Sequence, residues 1–197
     1  MIASATFDFS GASVLVTGAT SGIGYEIATA FGAAGAAVIA CGTRPSASEY
    51  DVDLSAFTYR QCRLTEHSDV DSVLDGFEGL DVLVNNAGAN LPGGRDEYDP
   101  DVFAETIAIN LIGMQRLTTR CRPLLSASAM KGGSSIVSIA SMAAMFGVPM
   151  VPGYSAAKAG LVGLTRALAV AWAAEGIRVN AIAPGVALAQ AIGRWGN

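Results

Sequence analysis

Five short apolar runs alternate with longer stretches of helical character, and this alternation admits few architectures. The runs "ASVLVTG" (12–18) and "AAVIACG" (36–42) are rich in β-branched residues and close on glycine; "LDVLVNNAG" (80–88), "SSIVSIAS" (134–141) and "IRVNAIAPG" (177–185) repeat the pattern. Unbroken apolar strands of this kind suit a parallel sheet covered on both faces. Between them the pattern predicts helices at roughly 22–34, 68–78, 99–129 and 153–175. A β-α-β-α order implies an α/β fold, a doubly wound parallel sheet with right-handed crossovers. One crossover is short. About fourteen residues, "TRPSASEYDVDLSA", separate the second run from the next candidate strand, "FTYRQCRLT", which leaves room only for a turn or a very short helix. With no internal repeat, linker or low-complexity tract, residues 1–197 read as a single domain.

A 51% hydrophobic, 15% charged chain has the balance of a globular protein. Its net charge of −5, with no Lys/Arg cluster, argues against nucleic acid or an anionic membrane surface as partner. Cys41, Cys62 and Cys121 are too scattered for a disulfide framework or a metal site, and read as small buried groups in a reducing compartment. His67 is the single histidine and sits at a helix start, so no metal centre is expected there. The amino terminus lacks the pattern of a signal peptide, and the longest apolar segment, 159–174, is cut by Arg166. A cytoplasmic location is expected.

In doubly wound sheets ligands gather outside the carboxyl ends of the strands, and the unusual residues of this chain lie there. The first strand runs into "TGATSGIG", with Gly18, Gly22 and Gly24 around Thr20, Ser21 and Ile23. Three glycines between strand and helix allow a tight turn and close backbone approach, and the helix start offers N–H groups to a pyrophosphate. Farther on, Tyr154 and Lys158 stand four residues apart in "GYSAAK", on one face of a predicted helix. A bare pair at this spacing is usually a packed phenol beside a snorkelling lysine. The chemical alternative is that the cation tunes the phenol. A free tyrosine has a pKa of about 10, and bringing it near neutrality takes roughly 4 kcal/mol of differential stabilisation.

The glycine spacing, Gly-x-x-x-Gly-x-Gly, resembles the TGxxxGxG motif of the short-chain dehydrogenase/reductase family. "NNAG" (85–88), "INLIG" (109–113), Ser141 thirteen residues before Tyr154, the Tyr154–Lys158 pair and "IRVNAIAPG" follow in that family's order. The resemblance implies a Rossmann-type three-layer sandwich and hydride transfer between a nicotinamide dinucleotide and a small alcohol or carbonyl compound. It implies Tyr154 as acid/base and Lys158 as the cation beside it, also holding the nicotinamide ribose. Ser141 would be the donor to the substrate oxygen, and Asn110 the anchor of a water leading from Lys158 to solvent. Asn86, Ala87 and Gly88 would line the cofactor channel, and Pro184, Gly185 and Val186 would cover the nicotinamide. Ser138, also near the end of its strand, is assigned to structure because alternation from Ser141 turns it to the other face. Relatives form dimers and tetramers, so a homodimer or homotetramer is expected. The apolar stripe Leu161, Leu164, Leu168 and Trp172 is either its interface or a face buried within the subunit.

The end of the second strand bears on the cofactor. An acidic residue there would favour NAD(H), but "CGTRP" has none before Glu49. Arg44, twenty residues beyond Gly24, offers a bidentate partner for a 2′-phosphate and Thr43 a hydroxyl, which favours NADP(H) over NAD(H). Arg63 stands where the family usually has an aspartate for the adenine, so only the backbone near Leu64 is expected to touch the ring. The uncharged segment "MAAMFGVPMVP" (142–152) is a candidate pocket wall and equally a candidate core segment.

After "APGV" the family continues through a lid, a helix and a last strand, whereas eight residues here separate Gly185 from Arg194. Either the lid and tail have dropped out of the sequence, giving a Cα–Cα step well above ~3.8 Å between Val186 and Ile192, or the chain is this short and its site unclosed. Two alternatives to a dehydrogenase stay open. One is a catalytically weak NADP(H)-binding subunit, and the other an epimerase or dehydratase that retains its cofactor.

Overall fold

The computed structural model describes residues 7–185; the expectations for Val186, for the lid and for the tail lie outside the described residues. Six parallel strands form one sheet: β1 Ser13–Thr17, β2 Ala37–Gly42, β3 Thr58–Gln61, β4 Val82–Asn85, β5 Ser134–Ile139 and β6 Ile177–Ile182. Their order is β3-β2-β1-β4-β5-β6. The chain builds outward from β1 to β3, then crosses to the other side of β1 to begin β4. Between β1 and β4 the order reverses, and a crevice opens at their carboxyl ends. Thr17 and Asn85 end those two strands, so the glycine loop and "NNAG" emerge side by side.

The continuous apolar runs are explained by two half-cores. Val14, Val16, Val38, Ala40, Val82 and Val84 point to the face carrying Ala28 of α1, Gly22–Ala33. Leu15, Ile39, Leu83 and Ile136 point to the other face, against α4 (Gly113–Ser126) and α5 (Pro152–Ala171). The inner strands β1, β2 and β4 are thus apolar on both sides, as a sheet between two helical layers requires, whereas β3 and β6 at the edges are not. All three cysteines are free and buried in the second half-core, where they act as small apolar groups. The Leu161–Trp172 stripe lies there too, with Leu164 and Leu168 packed against it, so this face belongs to the subunit's own core.

The short crossover contains only a turn of 3-10 helix at Ala47–Glu49. Ser46 and Glu49 close it reciprocally: the Ser48 N–H donates to Ser46 Oγ at 3.3 Å and the Ser46 N–H to Glu49 Oε1 at 3.1 Å. The helix expected at 68–78 is realised only over His67–Ser72, here α2. Gly76 soon follows with φ of +84°, in the left-handed region that a helix cannot use. The helix expected at 99–129 is three pieces. They are α3 at Pro100–Ile107, a π-helical turn at Ala108–Ile112, and α4. The π turn carries Asn110, and such wide turns recur at functional sites.

Candidate active site

The loop after β1 is shaped by what presses on it. Gly18 has φ +64°, and a Cβ there would stand 2.9 Å from the Ala87 Cα. A Cβ on Gly24 would lie 2.1 Å from the Gly18 carbonyl oxygen and 2.3 Å from Asn86 Nδ2, so the helix can start this close to the strand only with glycine. Asn86 is the tie between the two loops: its Nδ2 donates to the carbonyls of Thr17 at 3.0 Å and Gly18 at 3.2 Å. The Thr17 hydroxyl accepts the N–H groups of Asn86 and Ala87, each at 3.0 Å. Ser21 at the N-cap of α1 makes no side-chain cap, so the N–H groups of that first turn remain free for an anion. Thr20 and Ser21 sit on the outer side of the same turn, half-buried and exposed.

Directly below, one cavity of about 210 Å³ gathers residues from five distant segments: Ile23, Asn86 and Gly88, then Ile139, Ala140 and Ser141, then Tyr154, Lys158 and Pro184. β5 stops at Ile139, and Ser141 lies beyond it at the N-cap of a short 3-10 turn, with its Oγ accepting the Ala143 N–H at 3.2 Å. Strand alternation therefore does not govern Ser141, but Ser138 is buried within β5 and absent from the cavity lining. Gly185, at φ +124°, packs so that an added Cβ would meet Met142 Sδ at 3.0 Å.

Lys158 is 2% exposed, and its Nζ donates to the Ile139 carbonyl at 2.7 Å. The Nζ lies 5.4 Å from the centroid of the Tyr154 ring. Desolvation lowers its pKa to about 8. Tyr154 departs from the expectation that the lysine draws its phenol down. Burial holds the phenol above its ordinary range, the Ser141 hydroxyl works in the opposite direction, and the negative charge of Glu97 adds to the rise. The half-buried tyrosine therefore keeps its proton at neutral pH.

Asn110 is fully buried and its amide is already engaged. Nδ2 donates to the carbonyls of Ala89 at 2.6 Å and Thr106 at 2.9 Å, and Oδ1 accepts the Ala89 N–H at 3.2 Å. Both side-chain donors are used on backbone, so a water held by the side chain must donate to Oδ1. Gly88 joins Asn110 to Lys158: a Cβ on it would stand 2.6 Å from Asn110 Oδ1 and 3.4 Å from Lys158 Nζ.

At the far end of the crevice, Thr43 and Arg44 follow β2 on the exposed surface. The Arg44 guanidinium lies over the Tyr50 ring at 4.8 Å, and the Arg44 N–H donates to the Tyr50 hydroxyl at 2.8 Å. That hydroxyl also touches Gly42, where a Cβ would meet it at 2.4 Å and Thr20 Cγ2 at 2.6 Å. Tyr50 thus fills the place beside the glycine loop where an acidic side chain was sought, and sequence reading missed it; the shortened crossover was its only signal. Arg63 is paired away from the crevice, its Nε 2.7 Å from Asp69 Oδ2 and its NH2 3.0 Å from Oδ1. Leu64 is buried, its carbonyl and Cβ lying against Gly113.

The segment after Ser141 divides between the two readings given to it. Ala143 and Val151 are buried, whereas Met145, Phe146 and Met150 are each more than 60% exposed. Tyr98 reaches across to it, donating from its hydroxyl to the Pro149 carbonyl at 2.8 Å.

The family model described as short chain dehydrogenase matches residues 12–195. The chain belongs to that family. As a short-chain dehydrogenase it is an NAD(P)-dependent oxidoreductase. It is 34% identical over 192 residues to an uncharacterized oxidoreductase of Thermotoga maritima, covering 94% of this chain and 75% of that one. It is 34% identical to a D-threitol dehydrogenase of Mycolicibacterium smegmatis, covering 95% and 75%. Among solved structures, a putative short-chain alcohol dehydrogenase from Sinorhizobium meliloti matches with a TM-score of 0.79 at 32% identity, over 91% of this chain and 73% of that one. The NADP active-site complex of Pseudomonas aeruginosa RhlG matches with a TM-score of 0.78 at 26% identity, over 90% and 73%. No helix among the described residues of this short-chain dehydrogenase is long and apolar enough to cross a membrane. The crevice fits a dinucleotide on its own chemistry, with the uncapped start of α1 above and the notch at Gly88 beside Lys158 below.

Proposed function

We propose that this protein transfers a hydride between NADP(H) and a small alcohol or carbonyl compound, working as a carbonyl reductase at neutral pH. The observation that carries this reading is the single cavity onto which Ser141, Tyr154 and Lys158 converge from separate segments, with Gly88 and Asn110 packed at its wall. When bound, the nicotinamide dinucleotide supplies the hydride. Tyr154 gives its phenolic proton to the substrate oxygen, for which a half-buried, protonated phenol is suited. Ser141 donates to the same oxygen as negative charge develops on it. Lys158, charged below pH about 8, supplies positive potential beneath the phenol and a donor toward the ribose. Asn110 holds Ala89, and with it the wall of the cavity.

Gly18, Thr20, Ser21, Gly22, Ile23 and Gly24 would hold the pyrophosphate, with Asn86, Ala87, Gly88, Pro184 and Gly185 along the nicotinamide half. Thr43, Arg44 and Leu64 would surround the adenosine. The preference for NADP(H) rests on Arg44 and on the lack of a carboxylate at the end of β2; the NADP complex of RhlG is in keeping with it. Relatives are named for a polyol, for ketoacyl groups and for a deoxy-gluconate, so the substrate is proposed only as an alcohol or carbonyl compound. The exposed Met145, Phe146 and Met150 would give it an apolar wall. We further propose a single-domain cytoplasmic protein that pairs with copies of itself, with Val170 on α5 and Ile112 on the π turn offering exposed apolar surface.

The test is oxidation of NADPH and of NADH over a panel of ketones, aldehydes and ketoacyl thioesters. Stoichiometric NADPH oxidation that Tyr154→Phe abolishes supports the reading. Turnover without net cofactor consumption would replace it with a cofactor-retaining epimerase or dehydratase.

A further inference from the structure

Glu97 is the one acidic side chain among the described residues with no solvent exposure, and no motif of the chain marks it. It lies in "RDEYD", on the segment between β4 and α3, beside two other carboxylates, Asp96 and Asp99, that stay at the surface. Its two oxygens are shared between two elements. Oε2 accepts the N–H of Tyr154 at 2.8 Å, and Oε1 accepts the N–H of Leu91 at 2.8 Å.

The start of α5 has need of such a group. Val151 at its N-cap provides no side-chain cap, Pro152 opens it, and its first turn contains no acidic residue. A helix beginning this way leaves N–H groups unpaired and a positive dipole end bare. Glu97, 57 residues upstream, supplies the missing acceptor and charge. Gly153 makes the approach fit, since a Cβ there would stand 3.2 Å from Oε2 and 3.3 Å from Phe103 Cδ2. Leu91 is itself unusual, the only non-glycine residue of the described chain with positive φ, at +43°. A side chain in that region persists only where its surroundings hold it. The loop is gripped at both ends: Asn110 binds Ala89, and Glu97 binds Leu91.

We propose that Glu97 is a positioning residue for the reaction, fixing the first turn of α5 and the 89–91 loop to one another so that Tyr154 presents its phenol beside Ser141. The inference rests on the reading of Tyr154 as the proton donor. Besides the Ser141 hydroxyl, the titratable or charged groups facing Tyr154 among the described residues are Lys158 on α5 and Glu97 on the β4–α3 segment. The charge of Glu97 opposes ionisation of the phenol, adding to the rise that burial produces.

Three variants test this: Glu97→Gln, Glu97→Ala and Tyr154→Phe. Glutamine keeps the volume and one acceptor oxygen but removes the charge. The readouts are NADPH binding, kcat on the best carbonyl of the panel, and titration of the phenols by NMR with ring-labelled tyrosine. Tyr154→Phe assigns the Tyr154 signal among the five tyrosines. Glu97→Ala is expected to lower kcat on the order of 10²-fold, as misplacement of a reacting group does, with NADPH affinity changed less than threefold. Glu97→Gln is expected to lower kcat by a smaller factor and to move the Tyr154 titration to lower pH, which a merely structural residue would not do. Should Glu97→Ala fail to fold, the titration of Glu97→Gln decides. An unmoved Tyr154 titration with kcat intact in Glu97→Gln overturns the proposal. An active Tyr154→Phe instead removes the reading of Tyr154, while the titration still reports on Glu97.

Discussion

Lys158 donates to the Ile139 carbonyl at 2.7 Å, which fixes a buried ammonium to the last residue of β5 and not to the phenol one turn before it. Its position costs stability. The pKa falls from 10.5 to about 8, so burial of the charged form opposes folding by roughly 3 kcal/mol. The sign follows from the lowered value. Below pH 8 both folded and unfolded chains carry the charge and the full cost is present; between 8 and 10.5 the folded chain is neutral first and the cost is relieved. Lys158→Met is therefore expected to be inactive, and the stability difference between variant and parent should shift in the parent's favour as pH rises from 8 to 10.5. Urea unfolding at a series of pH values measures it; a constant difference would show that folding does not lower the pKa of Lys158.

The same value sets a pH limb for the reaction. Carbonyl reduction is expected to be level below pH about 8 and to fall above it, as Lys158 loses its proton while Tyr154 keeps its own. An initial-rate profile with saturating NADPH reads this directly. A rise above pH 8 would mean that the phenolate, not the phenol, is the working form.

Gly88→Ala tests the crowding at the floor of the site. The new methyl group would meet Asn110 Oδ1 at 2.6 Å, and Asn110 cannot swing away without losing its bonds to Ala89 and Thr106. A loss of about 1–3 kcal/mol in urea unfolding is expected, with NADPH oxidation abolished. Full activity in this variant would show that the notch plays no part in holding the cofactor.

Arg44→Ala is expected to weaken NADPH binding roughly 10- to 100-fold, the value of a charge-assisted contact, and to leave NADH binding within about threefold. Fluorescence titration of both cofactors checks it. Equal losses for the two would assign Arg44 to packing over Tyr50 instead of to the phosphate.

Strand positions, the glycine loop, the short crossover and the shared face of Tyr154 and Lys158 were legible because each is written in local spacing, whereas Ser141 came from the resemblance to the family. The β-branched runs need no partner to be recognised, and Tyr154 and Lys158 share a face by helical geometry alone. What escaped depends on contacts between distant segments. Nothing in "RDEYD" distinguishes Glu97 from its exposed neighbours, since its burial comes from Tyr154 and Leu91, which reach it only in the fold. The π turn at Asn110 is likewise invisible to a periodicity that runs unbroken on either side of it. Tyr154 is raised and not lowered because desolvation outweighs its hydrogen bond with Ser141, while the Lys158 Nζ, 5.4 Å from the ring centroid, is engaged by the Ile139 carbonyl; spacing alone conveys neither distance nor desolvation.

The bonds from Asn86 to the Thr17 and Gly18 carbonyls have a kinetic meaning. They are made within the protein, so the glycine loop holds its shape without a ligand. Ordering entropy is spent during folding and not at the encounter. On the proposed reading, cofactor capture would be a collision with a preformed loop, and differences in affinity would be read mostly in the departure rate.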